Sequence, residues 1–383
     1  MPRILHTADW QIGRLYGTFD PDDAVPLAEA RFAAVERLAA LAAREQVDAV
    51  VVAGDVFDAQ TVSARSIRRL FNALQGYAGP WVMIPGNHDA ALAESVWTHA
   101  ARLGALPPNL HLALVPRVVE LPAASLALLC APLTQRHTYG DLTEWFDSAT
   151  TPPGWLRIGL AHGAVQGVLA EDIDSANPIS PSRAESARLD YLALGDWHGT
   201  KRIDERTWYS GTPEPDRFKA NDAGQVLLVT LDAPGGTPLV EPVRTGQFLW
   251  RQRVHDIRVT SDLQVLIDTL AQAEPNDVLD LTITGVVDMV DNGRLLAALG
   301  NAEARVRCLR RNLSSLRLAP TAEDIASLHA DGYLGEVIQE LRDEGLVAAD
   351  GDVNPARRSQ DALAILTGLL SERGAQATGG SAA

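Results

Sequence analysis

Short apolar runs alternate with amphipathic stretches across the first part of the chain. The runs at Ile4-Leu5, Val47–Ala53 and Trp81–Ile84 are bounded by Gly, Pro or Asp, as buried strands are. Residues 28–44 are rich in Ala, Leu, Glu and Arg, and residues 63–74 begin with a serine and place apolar residues at helical spacing. This alternation predicts parallel strands joined by crossover helices.

The stretch that follows is richer in strands. Six further apolar segments predict strands at residues 110–114, 126–131, 156–162, 191–195, 207–210 and 225–231. Glycine and proline at 233–238 predict a turn between strands. The predicted fold class is therefore α/β with four layers, in which two packed β-sheets are flanked by helices.

The pattern changes near residue 245. A helix at 263–273, a strand at 278–283, a helix at 294–299 and a strand at 304–309 predict a small α+β unit. Helices are predicted at 322–346, interrupted at Gly332 and Gly335, and at 360–373, before a disordered tail at 374–383. The predicted domains are 1–245, an α+β capping domain at 246–320, and a helical C-terminal region at 321–383.

Polar segments follow five of the predicted strands. They are residues 9–11 (Asp-Trp-Gln), 54–58 (Gly-Asp-Val-Phe-Asp), 86–89 (Gly-Asn-His-Asp), 162–163 (His-Gly) and 195–198 (Gly-Asp-Trp-His). Ligand-binding residues of α/β sheets gather at the carboxyl ends of strands. Because these segments supply carboxylate, carboxamide and imidazole groups, they indicate a two-metal phosphoesterase.

Phosphodiester hydrolysis needs an ionised nucleophile and a means of stabilising developing negative charge. A pair of cations about 3.5–4 Å apart supplies both. Asp55 is suited to bridge the two ions, since a carboxylate has two oxygens. Asp9 and His198 are expected to hold the first ion, and Asn87 and His162 the second. This mixture of oxygen and imidazole donors favours Mn²⁺, Fe or Zn²⁺ over a pure Mg²⁺ site.

Three residues beside these ligands have predicted supporting roles. His88 is adjacent to Asn87 and is expected to protonate the leaving oxygen. Asp58 and Asp89 are expected to orient the imidazoles or the ligands. The remaining histidines have no comparable context and are interpreted as structural or exposed.

The same segments resemble the calcineurin-like metallophosphoesterase family, whose pattern is Asp-x-His, Gly-Asp-x-x-Asp, Gly-Asn-His-Asp/Glu, His and Gly-His-x-His. Residues 4–10, 53–58 and 209–213 resemble its DNA-repair branch, the nuclease subunits of SbcCD-type complexes. The resemblance covers roughly residues 1–231. It implies a manganese-dependent exonuclease and endonuclease with His88 as proton donor. It also implies a domain that helps present DNA, helices that bind an ABC-type coiled-coil ATPase, and a homodimer.

Two positions depart from the family pattern. Gln11 stands where the family has its first histidine, and Asp196 replaces the first histidine of the last motif. Glutamine can ligate through its carbonyl oxygen, and aspartate can replace histidine as a ligand. Three carboxylates (Asp9, Asp55 and Asp196) would then surround two ions, so that bound water is less acidified and Zn²⁺ is less favoured. The predicted cofactors are two divalent ions, foremost Mn²⁺, with Mg²⁺ or Fe as alternatives.

Charge bears on the substrate. The 383 residues carry a net charge of −16, whereas proteins that grip nucleic acid by bulk electrostatics are usually basic. This argues against tight, free-standing DNA binding but allows substrate to be held by metals, basic patches or a partner. Lys201 and Arg202 closely follow the last ligand segment and are the predicted substrate contacts.

The remaining composition bears on location. The two cysteines lie in apolar segments and cannot build a disulfide framework or a thiolate metal site. No signal-peptide pattern precedes the first strand, and no apolar run approaches the roughly 18 residues of a membrane span. We therefore expect a cytoplasmic protein without a membrane partner.

Three functions remain open at this point. The first is a DNA nuclease subunit that works with an ATPase. The second is a stand-alone phosphodiesterase or phosphatase acting on nucleotides or other small phosphates. The third is a scaffold that keeps the fold with a weakened metal site. The additional domain and the helical tail favour the first, whereas the acidic charge favours the second.

Overall fold

The computed structural model describes residues 1–168, 176–327 and 333–346, together with residues 358–359, 361–363, 365–366 and 369. The chain divides into two units, Met1–Leu249 and Trp250–Ala383. The domain boundaries predicted after residues 245 and 320 stay predictions. The predicted tail at 374–383 lies outside the described residues, and the predicted helix at 360–373 is described only in part.

The strands of the described chain are β1 (Arg3–Thr7), β2 (Ala49–Ala53), β3 (Trp81–Ile84), β4 (Leu110–Leu112), β5 (Arg117–Leu121), β6 (Leu126–Ala131), β7 (Leu156–His162), β8 (Ala164–Val165), β9 (Pro178–Ile179), β10 (Tyr191–Gly195), β11 (Lys201–Arg202), β12 (Thr207–Tyr209), β13 (Gln225–Thr230), β14 (Leu239–Arg244), β15 (Leu249–Ile257), β16 (Asp277–Val287) and β17 (Cys308–Leu318).

The α-helices are α1 (Pro21–Arg44), α2 (Ala64–Ala73), α3 (Val96–Arg102), α4 (Arg183–Ser186), α5 (Thr260–Ala271), α6 (Met289–Glu303), α7 (Ala322–Ser327) and α8 (Tyr333–Leu346). Short 3₁₀ helices occupy Leu74–Gly76, Pro122–Ala124 and Glu144–Asp147. In the part of the chain that the structure describes, no helix is both long and apolar enough to cross a bilayer.

Two six-stranded sheets build the first unit. The first sheet has the order β14-β13-β1-β2-β3-β4, and the second has the order β11-β12-β10-β7-β6-β5. Strands β1 to β4 are parallel to one another, as are β6, β7, β10 and β12. The outer strands β5, β11, β13 and β14 pair antiparallel. The parallel centres bring the functional strand ends together within each sheet.

The sheets pack face to face because their strands are apolar on both sides. In β2, Ala49, Val51 and Ala53 belong to the core between the sheets, whereas Val50 and Val52 face the helices α1, α2 and α3. A third core lies on the outer face of the second sheet, where Phe146 packs against β6, β7 and β10. The predicted α/β fold, with two packed sheets flanked by helices, is confirmed.

Most predicted elements occur within a few residues of their predicted bounds, but several differ. Helix α1 begins seven residues earlier than predicted, with proline in its first turn and Asp22 and Asp23 at the positive end of its dipole. Ser63 caps α2 as expected, accepting a hydrogen bond of 3.1 Å from the Ser66 amide. Helix α3 and strands β5, β14 and β15 were not predicted.

The second unit has one three-stranded sheet, ordered β15-β16-β17, with α5 and α6 packed on its apolar face. The predicted strand at 304–309 is wrong in position, because α6 continues to Glu303 and β17 begins only at Cys308. β17 pairs parallel with β16, a geometry that α6 makes possible as the crossover helix. The predicted helix at 322–346 is divided into two helices, α7 and α8, as expected; Gly332 lies outside the described residues, and Gly335 lies within α8 rather than at a break.

One buried imidazole joins the two sheets of the first unit. His6 on β1 lies 2.9 Å from the Tyr191 hydroxyl and 3.2 Å from the Leu194 carbonyl, both on β10. Burial lowers the pKa of His6 to about 3, although the Leu194 carbonyl opposes this shift. His6 is therefore neutral in the folded state and uses both ring nitrogens for hydrogen bonds.

This arrangement predicts acid sensitivity. Below pH 6.5, the pKa of His6 in the unfolded chain, the unfolded chain binds a proton at His6 that the folded chain does not bind. The stability that neutral His6 contributes is thus present above that pH and is lost as pH falls toward 3, by about 1.4 kcal/mol per pH unit. Between about pH 7.5 and pH 5, the free energy of unfolding in urea should fall about 2 kcal/mol less in His6→Gln than in the wild type.

His137→Gln provides the control, because the His137 side chain is exposed in a loop, whereas His6 is fully buried. Its urea unfolding should follow the wild type at both pH values. An equal loss of stability in His6→Gln and the wild type would contradict the role of His6.

Candidate metal centre

Polar loops from both sheets meet at one end of the first unit. Asp9 follows β1, Asp55 follows β2, Asp196 follows β10, and His162 is the last residue of β7. The Nδ1 atom of His162 lies 2.7 Å from the Ala53 carbonyl, and the Asp196 amide donates to the Asp9 carboxylate at 3.2 Å. The strand ends of the two sheets are therefore in direct hydrogen-bonding contact.

The loops turn sharply at the functional residues themselves. Asp9, Gln11, Asp55 and Asp196 all have positive φ, at 55°, 46°, 51° and 99°. For residues other than glycine, this conformation costs on the order of 1 kcal/mol or more and is concentrated at functional sites. The turns aim these side chains at one another across the ends of the sheets.

Buried acidic and imidazole groups converge where these loops meet. One ligand atom from each of Asp9, Asp55 and His162 lies within 4.8 Å of the other two, and all three residues are buried. Asp196 joins them, with its Oδ1 atom 3.7 Å from His162 Nε2. Like charges held this close in the interior require a cation among them.

The Asn87 carboxamide tests whether a metal ion fits. One of its terminal atoms lies 3.0 Å from His162 Nε2 and 3.1 and 3.2 Å from the two Asp55 oxygens. His162 Nδ1 faces a carbonyl, so its proton sits there and Nε2 presents a lone pair in the neutral ring. A carboxamide oxygen at this place faces only acceptors, an arrangement that a divalent ion satisfies, whereas in the opposite orientation the amide nitrogen donates to Asp55 and His162. We call Asp55, Asn87, His162 and Asp196 the Asn87 position.

The other predicted ion position is arranged differently. We call Asp9, Gln11, Asp55 and His198 the Gln11 position. The Gln11 amide nitrogen lies 3.2 Å from His198 Nε2, and its oxygen accepts a hydrogen bond of 2.6 Å from Arg14. His198 Nδ1 lies 3.1 Å from Asp216 Oδ2 and 2.9 Å from Arg217 Nη2. Both side chains are already engaged by neighbouring groups.

The ionisation of these groups reflects their burial and proximity. Burial raises the pKa of Asp9 to about 6, although the His198 and His162 imidazoles oppose the shift. Burial also raises the pKa of Asp196. Burial alone would lower the pKa of His162, but the carboxylates of Asp55, Asp9 and Asp196 outweigh it and raise the pKa to about 9. A proton on His162 thus offsets part of the negative charge of these carboxylates, and a divalent ion would offset more of it.

His88 lies at the open side of the Asn87 position. Its Nε2 atom is 4.0 Å from Asp55 Oδ2, and its Nδ1 atom is 2.8 Å from the main-chain carbonyl of Asp58. Asp58 therefore positions His88 through its backbone, whereas its carboxylate faces Arg14 at 3.4 Å. The sequence had assigned the orienting role to the side chain.

Asp89 stabilises the loops that carry Asn87 and Asp55. Its two carboxylate oxygens accept hydrogen bonds from the Gly86 amide at 2.7 Å and the Phe57 amide at 3.1 Å. Burial raises the pKa of Asp89 to about 7, with the Asp55 charge adding to the rise and the two amides opposing it. Asp89 thereby ties the loop that carries Asn87 to the loop that carries Asp55.

Sequence reasoning missed an arginine that holds the first loop. Arg31, buried on α1, donates to the Trp10 carbonyl at 2.7 Å and to the Asp9 carbonyl at 3.1 Å. Its guanidinium also reaches the Tyr16 hydroxyl and the Glu214 carbonyl, each at 3.2 Å. In sequence Arg31 is one basic residue of a long helix and carries no signal of this role.

Comparison with known proteins identifies the family. A model of the calcineurin-like phosphoesterase family matches residues 2–228, more than half of the chain. The chain belongs to the calcineurin-like phosphoesterase family. The predicted resemblance to the DNA-repair branch of these phosphoesterases is confirmed by the relatives that follow.

A subunit of the nuclease SbcCD from Rhodobacter capsulatus is 45% identical over 294 residues, covering 63% of this chain and 70% of that protein. DNA double-strand break repair protein Mre11 of Aeropyrum pernix is 28% identical over 263 residues, covering 64% and 61%. The corresponding SbcCD nuclease protein of Escherichia coli K12 is 38% identical over 270 residues, covering 60% and 64%. The chain thus spans between 61% and 70% of the length of these phosphoesterase-family relatives.

Basic side chains lie near the last loop of this phosphoesterase domain. The Nζ atoms of Lys219 and Lys201 lie 4.2 and 5.3 Å from the centre of the Trp197 ring, between Asp196 and His198. Arg202, the other predicted contact, stacks instead on Trp208 at 5.7 Å. Of the two predicted substrate contacts, Lys201 therefore lies against the Trp197 ring and Arg202 does not. Lys219, which was not predicted, lies against the same ring.

A cavity of about 420 Å³ opens beside His88. Asp58, Asn87 and Arg136 line it together with His88. Arg136 is exposed in a loop that follows β6, far in sequence from every ligand segment. It brings a guanidinium to the cavity, and no sequence motif of the phosphoesterase family pointed to it.

Two glycines leave room for the ligands of the Asn87 position. A Cβ atom on Gly86 would overlap Asp55 Oδ1 and approach His162 Cε1 to 2.8 Å, and one on Gly195 would overlap the Ala53 carbonyl. Gly86→Ala should therefore displace Asp55 or His162 and weaken Mn²⁺ binding by about 10- to 100-fold in isothermal titration calorimetry.

Gly17→Ala provides the matched control, because a Cβ atom there meets nothing within 4 Å. Its Mn²⁺ affinity should equal that of the wild type. Unchanged affinity in Gly86→Ala would show that Asp55 and His162 do not bind the ion.

Proposed function

We propose that this chain hydrolyses phosphodiester bonds of DNA with divalent metal, as the nuclease subunit of a DNA-repair complex. The observation that carries the proposal is the convergence of Asp55, Asn87, His162 and Asp196 on one place, with His88 beside it. A carboxamide, an imidazole and two carboxylates around one point form a metal-binding set. The named nuclease relatives support DNA as the substrate.

The chemistry is divided between the metal and the protein. A bound divalent ion would lower the pKa of a water molecule and stabilise charge on the phosphate. His88 is placed to protonate the leaving oxygen, because Nδ1 faces the Asp58 carbonyl and Nε2 is directed toward Asp55 and the cavity. In this proposal Asp89 and Arg31 do not contact the substrate. Asp89 holds together the loops that carry Asn87 and Asp55, and Arg31 holds the loop that carries Asp9.

Manganese is the ion that we propose. Carboxylate and carboxamide oxygens outnumber imidazole nitrogens at the Asn87 position, where His162 is the one imidazole among four residues. Oxygen-rich sets favour Mn²⁺ and Mg²⁺ over Zn²⁺, and the imidazole favours Mn²⁺ over Mg²⁺.

The basic groups around the centre support a polymeric substrate. Arg136 lies at the cavity, whereas Lys201 and Lys219 lie against Trp197, the residue between Asp196 and His198. Several cations near a cleavage site are suited to contact successive phosphates of one strand, and an aromatic ring can stack on a base. On a chain with a charge of −16, such local groups must replace bulk electrostatic attraction.

A small phosphodiester is the second candidate substrate. The cavity of about 420 Å³ beside His88 lies within the usual size range of small-molecule sites. A nucleotide could occupy it with its phosphate at Arg136. This reading does not employ Lys201 and Lys219, so the two candidates differ in the residues that they require.

The proposed nuclease works with a partner. The relative from Rhodobacter capsulatus is named as one subunit of a nuclease complex, which supports a role beside a second protein. We propose an ABC-type coiled-coil ATPase as that partner and a homodimer of this chain. Both follow from the resemblance to the DNA-repair branch, and a partner would also supply DNA affinity that an acidic chain lacks.

We expect Mn²⁺-dependent cleavage of linear DNA that EDTA abolishes. His88→Gln should lower kcat by about 10²- to 10⁴-fold with little change in KM, because the imidazole would act on the leaving oxygen in the transition state. Steady-state kinetics on a fluorescent oligonucleotide would measure this. His99→Gln, on helix α3, is the control and should keep the wild-type kcat. Full activity in His88→Gln would overturn its assigned role.

DNA and small phosphodiesters can be distinguished by variants outside the metal ligands. Lys219→Gln and Lys201→Gln should each raise KM for DNA about 10-fold at low salt and leave turnover of bis(4-nitrophenyl) phosphate within about 2-fold. Arg102→Gln, whose guanidinium pairs with Glu94 at the surface, should change neither. An unchanged KM for DNA in both lysine variants would favour the small phosphodiester.

A further inference from the structure

The two ion positions expected in the metal centre differ in the charge around them. In the part of the chain that the structure describes, no lysine or arginine contacts the four side chains of the Asn87 position. The Gln11 position, in contrast, has two arginines against its ligands: Arg14 at Gln11 and Arg217 at His198. The positions are therefore not equivalent as sites for a second cation.

Gln11 does not offer its oxygen to a metal ion. That oxygen accepts from Arg14 Nη1 at 2.6 Å, and the amide nitrogen is the atom that faces His198. Rotating the amide would place its nitrogen against the guanidinium, so that two donors would meet. Arg14 thus keeps the Gln11 amide in the orientation that points its nitrogen toward His198, and an amide nitrogen does not bind a metal ion.

His198 is occupied as well. If Nδ1 accepts from Arg217 at 2.9 Å, the ring proton of the neutral imidazole sits on Nε2. If Nδ1 instead donates to Asp216 at 3.1 Å, Nε2 accepts from the Gln11 amide at 3.2 Å. In the first tautomer Nε2 carries the proton, and in the second it accepts a hydrogen bond, so that in neither does it present a free lone pair to a metal ion.

Asp216 anchors this cationic group. Its carboxylate is 1% exposed and lies 3.3 Å from Arg14 and 2.9 Å from Arg217. It therefore holds both guanidinium groups beside Gln11 and His198. The carboxylates of Asp216 and Asp58 offset part of the charge of the two guanidinium groups, which can still donate hydrogen bonds to a phosphate.

We infer that the centre holds one divalent ion, at the Asn87 position with Asp9 alongside, and that Arg14 and Arg217 replace the second ion at the Gln11 position. The two-ion complement expected from the family pattern does not fit the engaged states of Gln11 and His198. The inference rests on the proposed metal-dependent function, in which the remaining ion activates water and the arginines contribute positive charge to phosphate binding.

The test counts ions without relying on catalysis. The full chain is loaded with Mn²⁺, freed of unbound metal and analysed by inductively coupled plasma mass spectrometry. The expected content is one ion per chain, and the electron paramagnetic resonance spectrum should be that of an isolated Mn²⁺ ion. Two ions per chain, with the spectrum of an exchange-coupled pair, would overturn the inference.

Matched variants assign the ion to its position. Asp196→Asn should reduce Mn²⁺ affinity at least about 10-fold, whereas His198→Gln should retain one ion with wild-type affinity. The reverse pattern would contradict the assignment. The triple variant Gln11→His, Arg14→Gln and Arg217→Gln should gain a second ion and the coupled spectrum. A triple variant that still binds one ion would show that these residues do not exclude the second.

These readouts separate this inference from the proposed function. A chain that binds one ion but cleaves neither DNA nor bis(4-nitrophenyl) phosphate would contradict the function and leave the ion count standing. A chain that binds two ions and cleaves DNA would contradict only the inference.

Discussion

Three carboxylates at the ends of the sheets, two of them buried and one partly exposed, are the constraint on which the first unit depends. Asp9, Asp55 and Asp196 converge with His162 between them, and their mutual repulsion in a poorly solvated place opposes folding. Such a cluster persists only when positive charge is supplied to it. A protonated His162 is one source, a bound divalent ion would be a stronger one, and Arg14 and Arg217 lie nearby at Gln11 and His198. The arrangement of these charges determines what the centre can do.

The surrounding structure keeps the acidic loops in place against this repulsion. Arg31 holds the carbonyls of the first loop from α1, and Asp89 joins the loops after β2 and β3. The glycines before Asn87 and Asp196 allow the two sheets to approach closely. Each of these groups limits how far a ligand can move away from its neighbours.

The sequence predicted the centre well where the fold itself brings residues together. Asp55, Asn87 and His162 follow parallel strands, and the ends of parallel strands meet. The roles of Arg31 and Asp216 were not predicted, because the partners of an arginine in a helix or an aspartate in a loop are set by tertiary packing and cannot be identified from the sequence. Asp58 was predicted to act through its side chain, but it contacts His88 through its main-chain carbonyl. Every residue has such a carbonyl, so residue types alone cannot predict this contact. Strand β17 was misplaced because its exposed face carries charged residues, and pairing with β16 decides its extent.

The Asn87 position draws its ligands from both sheets, and this has a consequence for how the protein matures. Asp55 and Asn87 belong to the first sheet, whereas His162 and Asp196 belong to the second, so neither sheet alone contains the site. A nascent chain cannot capture an ion there until Asp196 has been synthesised and the sheets have packed. At the proposed site, metal loading would therefore be a late step of folding. A bound ion would link the two sheets and add its binding free energy to their association.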